Sequence, residues 1–417
     1  MRPSPSFAKQ VAHGNRRAFL RGSAGLFSLP VWGGRPADVQ ACPFNPPPRL
    51  ETCVSHPVII EALDMMRVGD DHLVRATAKG KETGFAVTNQ HASYLHEMFK
   101  QRVAPFFIGK DARALAALVE GVFLHERNYK LVGVPLSCCV SWAEFALLDL
   151  LGRLADKPVW SLFADVPLRT RVPMYLSSTS RETTPEQEVD LFAQALDATG
   201  AQALKYKVGG RMSGNIDAAP ARTERLIALM PQRLGDSLTY YADANGSFDV
   251  TKAVEVGRRL ESHGVAIYEE PCPFEDYAAT KQVTRKLRKI TVAGGEQDHS
   301  YYRFTDIVRE RVLDMLQPDL SYNGGLLRTQ RVAQLAREAK LPVSPHCPQA
   351  STLMYTLHFA AFTPNLGPFQ EFHLSLVERA PWYAPELRVT QGHLDIPTAP
   401  GFGWQLPPER LARAIPL

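Results

Sequence analysis

Three acidic residues recur at nearly equal intervals in the second half of the chain. Asp243, Glu269 and Glu296 lie 26 and 27 residues apart, and each ends or follows an apolar stretch typical of a β-strand. The interval suits one strand, one helix and two loops, which would place the three carboxylates at one end of neighbouring parallel strands. Carboxylates gathered in this way repel one another, and hard oxygen ligands favour magnesium over zinc. The spacing therefore predicts a Mg²⁺ site, and the alternative is a set of acids paired with lysine or arginine.

Two lysines precede these acids in Lys205-Tyr206-Lys207. Side chains on a strand repeat with period two, so both amines would lie on one face. If that face points inward, repulsion between the amines and loss of water would lower the pKa of one of them and produce a general base. The alternative is an exposed edge strand with solvated lysines.

Two further acids and a histidine follow later strands. Asp319 ends one apolar stretch and His346 the next, so a carboxylate could orient the histidine as an acid–base pair. Glu371 ends the last predicted strand and could donate a hydrogen bond to a substrate oxygen that gains charge, a role that requires a raised pKa.

This set of residues suits removal of a proton from the carbon next to a carboxylate. Bases on two sides allow either elimination of a β-hydroxyl, with His346 as acid, or return of the proton from the other side. The first hypothesis is dehydration of a sugar acid or other polyhydroxy acid to a 2-keto-3-deoxy acid. The second is a racemase or epimerase of a 2-hydroxy acid, and the third is an exported acid-binding protein without catalysis.

Strands and amphipathic helices must position these residues. Alternation begins at Val172 and favours an α/β fold with a modified (β/α)8 barrel, in which side chains of the active site lie at the carboxyl ends of the strands. A doubly wound sheet is the rival, but no glycine-rich phosphate loop follows the first strand. The predicted strands are 172–176, 203–208, 238–243, 266–269, 290–293, 312–317, 342–344 and 368–372, and the predicted helices between them include 185–196, 251–260 and 326–339.

The region before the barrel reads as α+β. Strands are predicted at 58–63 and 72–78, joined by a polar turn over 64–71, and a third strand begins near Glu82. Helices are predicted over 94–103, 111–125 and 141–154. We expect substrate choice to depend on the loops 64–71 and 84–91, and the candidate substrate-binding residues are Arg67, Asn89, His91 and Asn245.

Composition sets the broad class and the expected partners. The 417 residues are 45% hydrophobic and carry a net charge of +4, much of it in the first 22 residues, which gives no indication of nucleic-acid binding. Arg16-Arg17 before an apolar, uncharged stretch resembles a twin-arginine export signal, and the stretch is too short for a stable membrane anchor. We expect a periplasmic protein, with a cytoplasmic one as the alternative, a small carboxylate substrate and a homo-oligomer.

In order and spacing, these motifs resemble the enolase superfamily and, within it, the mandelate racemase-like group. The resemblance rests on Lys205-Tyr206-Lys207, Asp243-Ala244-Asn245, Glu269-Glu270-Pro271, Gly294-Gly295-Glu296, Gln317-Pro318-Asp319 and Ser344-Pro345-His346. It implies that Asp243, Glu269 and Glu296 ligate magnesium, with Glu269 chosen over Glu270 because Glu270 would point the opposite way. It also implies Lys207 as the base with Lys205 beside it, the His346–Asp319 dyad on the other face and Glu371 as electrophile.

The resemblance also implies a domain order. A signal segment at 1–41 and a proline-rich linker at 42–56 would precede an α+β capping domain at 57–168. The barrel would occupy 169–384, and the segment 385–417 would return to the cap.

Overall fold

The computed structural model of the chain describes residues 48–377 and 381–417. The predicted signal segment lies outside the described residues, as do residues 42–47 of the predicted linker.

A four-stranded antiparallel sheet forms the first part of the fold. Its strand order is β12-β1-β2-β3, so the end of the chain pairs with its first strand. The predicted turn over 64–71 is wrong, because β1 continues to Val68 and only two residues separate it from β2. The strands are β1 (Ile60–Val68), β2 (Asp71–Ala78), β3 (Thr83–Val87) and β12 (Ile415–Pro416).

Helices cover one face of this sheet. They are α1 (Ala92–Met98), α2 (Ala104–Phe107), α3 (Leu115–Gly121) and α4 (Val134–Leu154). Backbone approaches backbone where β3 meets α4, since a β-carbon at Gly84 would lie 2.2 Å from the Leu150 nitrogen. Among described residues, α4 alone is long and apolar enough to cross a membrane, and 89% of that apolar stretch is buried in the protein.

Parallel strands curl into the barrel. In the described chain they pair in the order β10-β4-β5-β6-β7-β8-β9, and bridges from Leu316 to Val343 and from Val343 to Leu366 continue towards closure. The predicted strand over 342–344 is therefore only a bridge at Val343. The strands are β4 (Arg171–Ser177), β5 (Ala203–Lys207), β6 (Thr239–Asp243), β7 (Ile267–Glu269), β8 (Thr291–Gly294), β9 (Met315–Leu316) and β10 (Gln370–His373).

Helices alternate with the strands, as the amphipathic patterns predict. Side chains cap several of them: Thr184 forms a capping box with Gln187, and Asp249 accepts from the Lys252 amide. The helices are α5 (Pro185–Thr199), α6 (Arg222–Leu234), α7 (Val250–Ser262), α8 (Tyr277–Lys286), α9 (Tyr301–Arg309), α10 (Leu326–Glu338) and α11 (Ala350–Phe362), and a short helix, α12 (Pro408–Leu411), follows the barrel.

The segment after the barrel contacts both sheets. Strand β11 (His393–Asp395) runs antiparallel to β4, whereas β12 joins β1. The domain boundaries themselves stay predictions.

Side chains fill the barrel interior. The inward cluster contains Tyr175, Ala203, Tyr241, Ile267, Ala293 and Met315, all buried. A filled interior leaves the carboxyl ends of the strands as the place where polar side chains can meet.

Candidate active site

Strand register brings the predicted site residues to one end of the barrel. Lys207 is paired with Asp243 across β5 and β6, and Asp243 with Glu269 across β6 and β7. A bridge likewise pairs Asp319 with His346. These positions follow from parallel pairing of strands that end together, which is the arrangement the spacing predicts. The chemical roles of the residues stay predictions.

Lys205 is a fully buried ammonium group between two carboxylates. Its Nζ lies 2.8 and 2.9 Å from the two oxygens of Glu269 and 3.0 Å from Oε1 of Glu371. Burial works to lower the pKa of Lys205, but Glu269 and Glu371 outweigh it and raise the pKa well above its ordinary value. The lowered pKa predicted for one of the two lysines is therefore not that of Lys205, because carboxylates are its nearest neighbours.

Lys207 bonds to the carboxylate of the next strand. Its ammonium group donates to Oδ2 of Asp243. The backbone N–H of Asn245 donates to Oδ1 of Asp243 at 2.7 Å, and its Nδ2 donates to Oδ2 at 3.1 Å. Burial opposes the charge of Asp243, but the two lysines outweigh it and lower its pKa. Asn245 thus orients a predicted ligand, and its own side-chain oxygen accepts from Arg181 at 2.8 Å.

His346 lies between two carboxylates. Its Nδ1 is 2.9 Å from Oδ2 of Asp319, and its Nε2 is 3.4 Å from Oε2 of Glu296. The other oxygen of Asp319 accepts the backbone N–H groups of Ser321 and Tyr322 at 2.7 and 2.9 Å. Burial lowers the pKa of His346, but Glu296 and Asp319 outweigh it and raise the pKa to about 10. The predicted pair is therefore formed, with its carboxylate fixed by backbone donors.

The charges around Glu371 favour its ionised form. Burial opposes its charge, but Lys205 and His346 outweigh burial and lower its pKa to about 2. Its Oε2 also accepts the Cys347 backbone N–H at 2.9 Å. This direction is opposite to the raised pKa that a hydrogen-bond donor would need, and the role of Glu371 as electrophile stays a prediction.

Negative charge accumulates where the cation site is predicted. Burial and neighbouring carboxylates raise the pKa of Glu269 to about 7, although Lys205 works against this. Glu270 is 8% exposed, and burial followed by Glu296 and Asp243 raises its pKa well above the ordinary value. Glu270 thus belongs to the same cluster, and the expectation that it points away is wrong.

The donor set matches a hard divalent cation in chemistry. Among the residues the structure describes, no three histidine, cysteine, aspartate or glutamate side chains are placed to hold one ion, and Glu269 and Asp243 accept from the two lysines. The predicted ligands are all buried carboxylates whose mutual repulsion is only partly offset by two ammonium groups. A cation with oxygen preference fits that excess charge.

The three candidate substrate-binding residues of the cap lie in different places. Arg67 is exposed and donates to the Gly69 carbonyl, so the structure does not bring it to the site. Asn89 lines a cavity of about 710 Å³ between the cap and the barrel, which Asp71, Gln349 and His373 also line. His91 instead contacts Tyr322 of the barrel, with Nε2 3.1 Å from the tyrosine oxygen.

Sequence reasoning missed three residues in this region. Gln317 donates to Oε2 of Glu269 at 2.7 Å, and Tyr322 donates its backbone N–H to Asp319. Arg181 reaches Asn245 from the loop after β4. Gln317 lies two residues before Asp319, and side chains two residues apart on a strand share a face, so this spacing could have identified Gln317. No local pattern marks the other two.

Comparison with known proteins agrees with this architecture. Residues 187–410 match the family described as enolase C-terminal domain-like. Arabinonate dehydratase of Saccharolobus solfataricus is 25% identical over 305 residues, which cover 72% of this chain and 78% of that protein.

Two solved structures share the fold. A Roseobacter denitrificans protein, provisionally named a racemase, is 32% identical with a TM-score of 0.81, covering 86% of this chain and 99% of its own. A mandelate racemase/muconate lactonizing protein from Paracoccus denitrificans, complexed with magnesium, is 23% identical with a TM-score of 0.78 over the same shares. The chain therefore belongs to the enolase superfamily, in the mandelate racemase-like group of dehydratases, cycloisomerases and racemases.

Proposed function

We propose that the protein catalyses magnesium-dependent removal of the proton α to a carboxylate and dehydrates a sugar acid to a 2-keto-3-deoxy acid. The observation that carries this proposal is that the amine of Lys207 and the imidazole of His346 lie on either side of the predicted carboxylate ligands along the sheet. Lys207 ends β5, and His346 follows the bridge at Val343, with the strands that carry the carboxylates between them.

The residues divide the reaction between them. Lys207 takes the proton from Cα, and Nε2 of His346 delivers a proton to the departing β-hydroxyl, which leaves as water. The resulting enol becomes the 2-keto-3-deoxy acid by losing the proton of its C2 hydroxyl and taking a proton at C3. Asp243, Glu269 and Glu296 would hold a magnesium ion, whose positive charge would stabilise the substrate carboxylate as it gains negative charge.

The cavity between cap and barrel supports a polyhydroxy substrate. Its lining combines amide, hydroxyl, imidazole and carboxylate groups, including Asn89, Gln349, Asp70 and Asp71. Among the described residues that line it, none is lysine or arginine. Hydroxyl groups can bond to such a lining, whereas a second substrate carboxylate would face Asp70 and Asp71. We therefore infer that aldonic acids are preferred to aldaric acids.

The test is a screen of the purified protein with magnesium against matched aldonic and aldaric acids, with 2-keto acid as the readout. Lys207→Ala and His346→Asn should abolish product formation, whereas Lys289→Ala, on the exposed surface, should leave it unchanged. Absence of keto acid with every substrate, or full activity in both site variants, would contradict the proposal.

Racemisation of a 2-hydroxy acid is the second candidate, since two proton-transferring groups on separate strands also allow the proton to return on the other face. It predicts deuterium incorporation at Cα in D₂O without keto acid. Nuclear magnetic resonance of the recovered substrate separates the two outcomes.

We also infer export to the periplasm from Arg16-Arg17 and the apolar stretch after it. Replacing both arginines by lysine should retain the protein in the cytoplasm on cell fractionation. An unchanged distribution would argue for a cytoplasmic protein.

A further inference from the structure

An aromatic contact joins the cap to the barrel beside the His346–Asp319 pair. His91, directly before α1, and Tyr322, three residues after Asp319, have ring centroids 5.4 Å apart and stack at 30°. The tyrosine oxygen and Nε2 of His91 are 3.1 Å apart. Nδ1 of His91 is engaged by the Tyr94 hydroxyl. Both ring nitrogens of His91 therefore have partners within the protein, which argues against the predicted role in substrate binding.

Tyr322 also contacts both members of the pair. Its backbone N–H donates to Oδ1 of Asp319 at 2.9 Å, and its ring centroid lies 6.1 Å from that of His346. The Ser321 amide donates to the same oxygen at 2.7 Å. These donors leave Oδ2 of Asp319 to accept from Nδ1 of His346. Displacement of Tyr322 would therefore move the carboxylate that orients the imidazole.

We propose that Tyr322 is a positioning residue that couples the seating of the cap to the orientation of the His346–Asp319 pair, with His91 as the cap end of the link. The inference rests on the proposed function for its effect on catalysis. Because Tyr322 contacts Asp319 and His346, the link affects proton transfer at His346 and leaves proton transfer at Lys207 intact.

The first experiment measures deuterium exchange at Cα in D₂O for both epimers of an accepted acid, so that the two faces are read separately. Tyr322→Ala should slow exchange on the His346 face about 10–100-fold with little change in KM, as expected for a misplaced catalytic group. Tyr322→Phe keeps the ring and should retain most of that exchange. Tyr302→Ala is the matched control, because Tyr302 is an exposed tyrosine of α9.

The second experiment does not depend on turnover. In His91→Ala, the amide protons of Ser321 and Tyr322 should exchange with solvent about fivefold faster or more, because the loop loses its cap contact. His56→Ala, at an exposed position, should leave those rates unchanged.

Two results would overturn the coupling: equal slowing on both faces in Tyr322→Ala, or unchanged Ser321 and Tyr322 amide exchange in His91→Ala. Wild-type protein that exchanges no Cα proton would instead contradict the proposed function, and the amide measurement would still decide whether the cap contact holds the loop.

Discussion

Replacing Asp319 by asparagine should remove the proton from Nδ1 of His346. Oδ1 of Asp319 accepts two backbone N–H groups, at 2.7 and 2.9 Å, so the amide oxygen of the asparagine must occupy that place. The amide NH₂ then faces Nδ1 of His346, where Oδ2 now lies at 2.9 Å. Nδ1 must then accept a hydrogen bond, so the only ring proton is the one on Nε2. A neutral imidazole protonated at Nε2 cannot take a proton there.

The expected fall in the rate of proton exchange at His346 follows from two competing free-energy costs. An imidazole held in the wrong tautomer lowers kcat about 10⁴-fold in serine hydrolase triads, which corresponds to about 5 kcal/mol. Flipping the amide restores the tautomer but points NH₂ at two backbone donors, which costs roughly 1–3 kcal/mol for each unsatisfied group. The cheaper route sets the outcome, so the expected loss on the His346 face is about 30-fold to 10⁴-fold.

Face-resolved deuterium exchange measures this effect directly. Exchange on the Lys207 face should stay within about threefold of wild type, since no contact of Lys207 is changed. Asp314→Asn is the control, because Asp314 also accepts a backbone N–H, from Val292 at 3.1 Å, but is exposed and outside the site. His346-face exchange within about threefold of wild type in Asp319→Asn would refute the reasoning.

Two further predictions concern stability. Burial lowers the pKa of His358 from 6.5 to about 3. The contribution of His358 to the free energy of unfolding is therefore fully present above pH 6.5 and is lost as the pH falls towards 3. Between pH 7 and 5, this group should lower the free energy of unfolding of the wild type by about 2 kcal/mol. His358→Asn still offers an acceptor to the Trp160 N–H, and its free energy of unfolding in urea should fall by about 2 kcal/mol less over the same pH range. An identical pH difference in both proteins would contradict the assignment. Gly325→Ala should destabilise by about 2–4 kcal/mol, because its φ is +116° and a β-carbon would lie 2.3 Å from the Glu144 carboxyl group. Gly214→Ala, with φ +60° and open space, should cost about 1 kcal/mol, and equal costs in urea titrations would show that the clash is unimportant.

Local periodicity was sufficient for the architecture and for the gathering of the site. The intervals between Asp243, Glu269 and Glu296 predict parallel strands. Parallel strands in register bring their carboxyl ends together regardless of the conformations of the loops. The period of two likewise puts Lys205 and Lys207 on one face. These features depend on neighbours along the chain, so they can be read before folding.

Distances between strands far apart in sequence decided the electrostatics. Lys205 and Glu371 approach to within 3.0 Å across 166 residues of chain, and this contact helps to raise the pKa of Lys205 and to lower that of Glu371. The bend at Glu270 has φ +41° and turns its carboxylate into the cluster, although strict alternation would point it away. The contact of His91 with Tyr322 likewise exists only once cap and barrel pack together. Charge interactions change steeply over a few ångströms, so only tertiary packing could determine them.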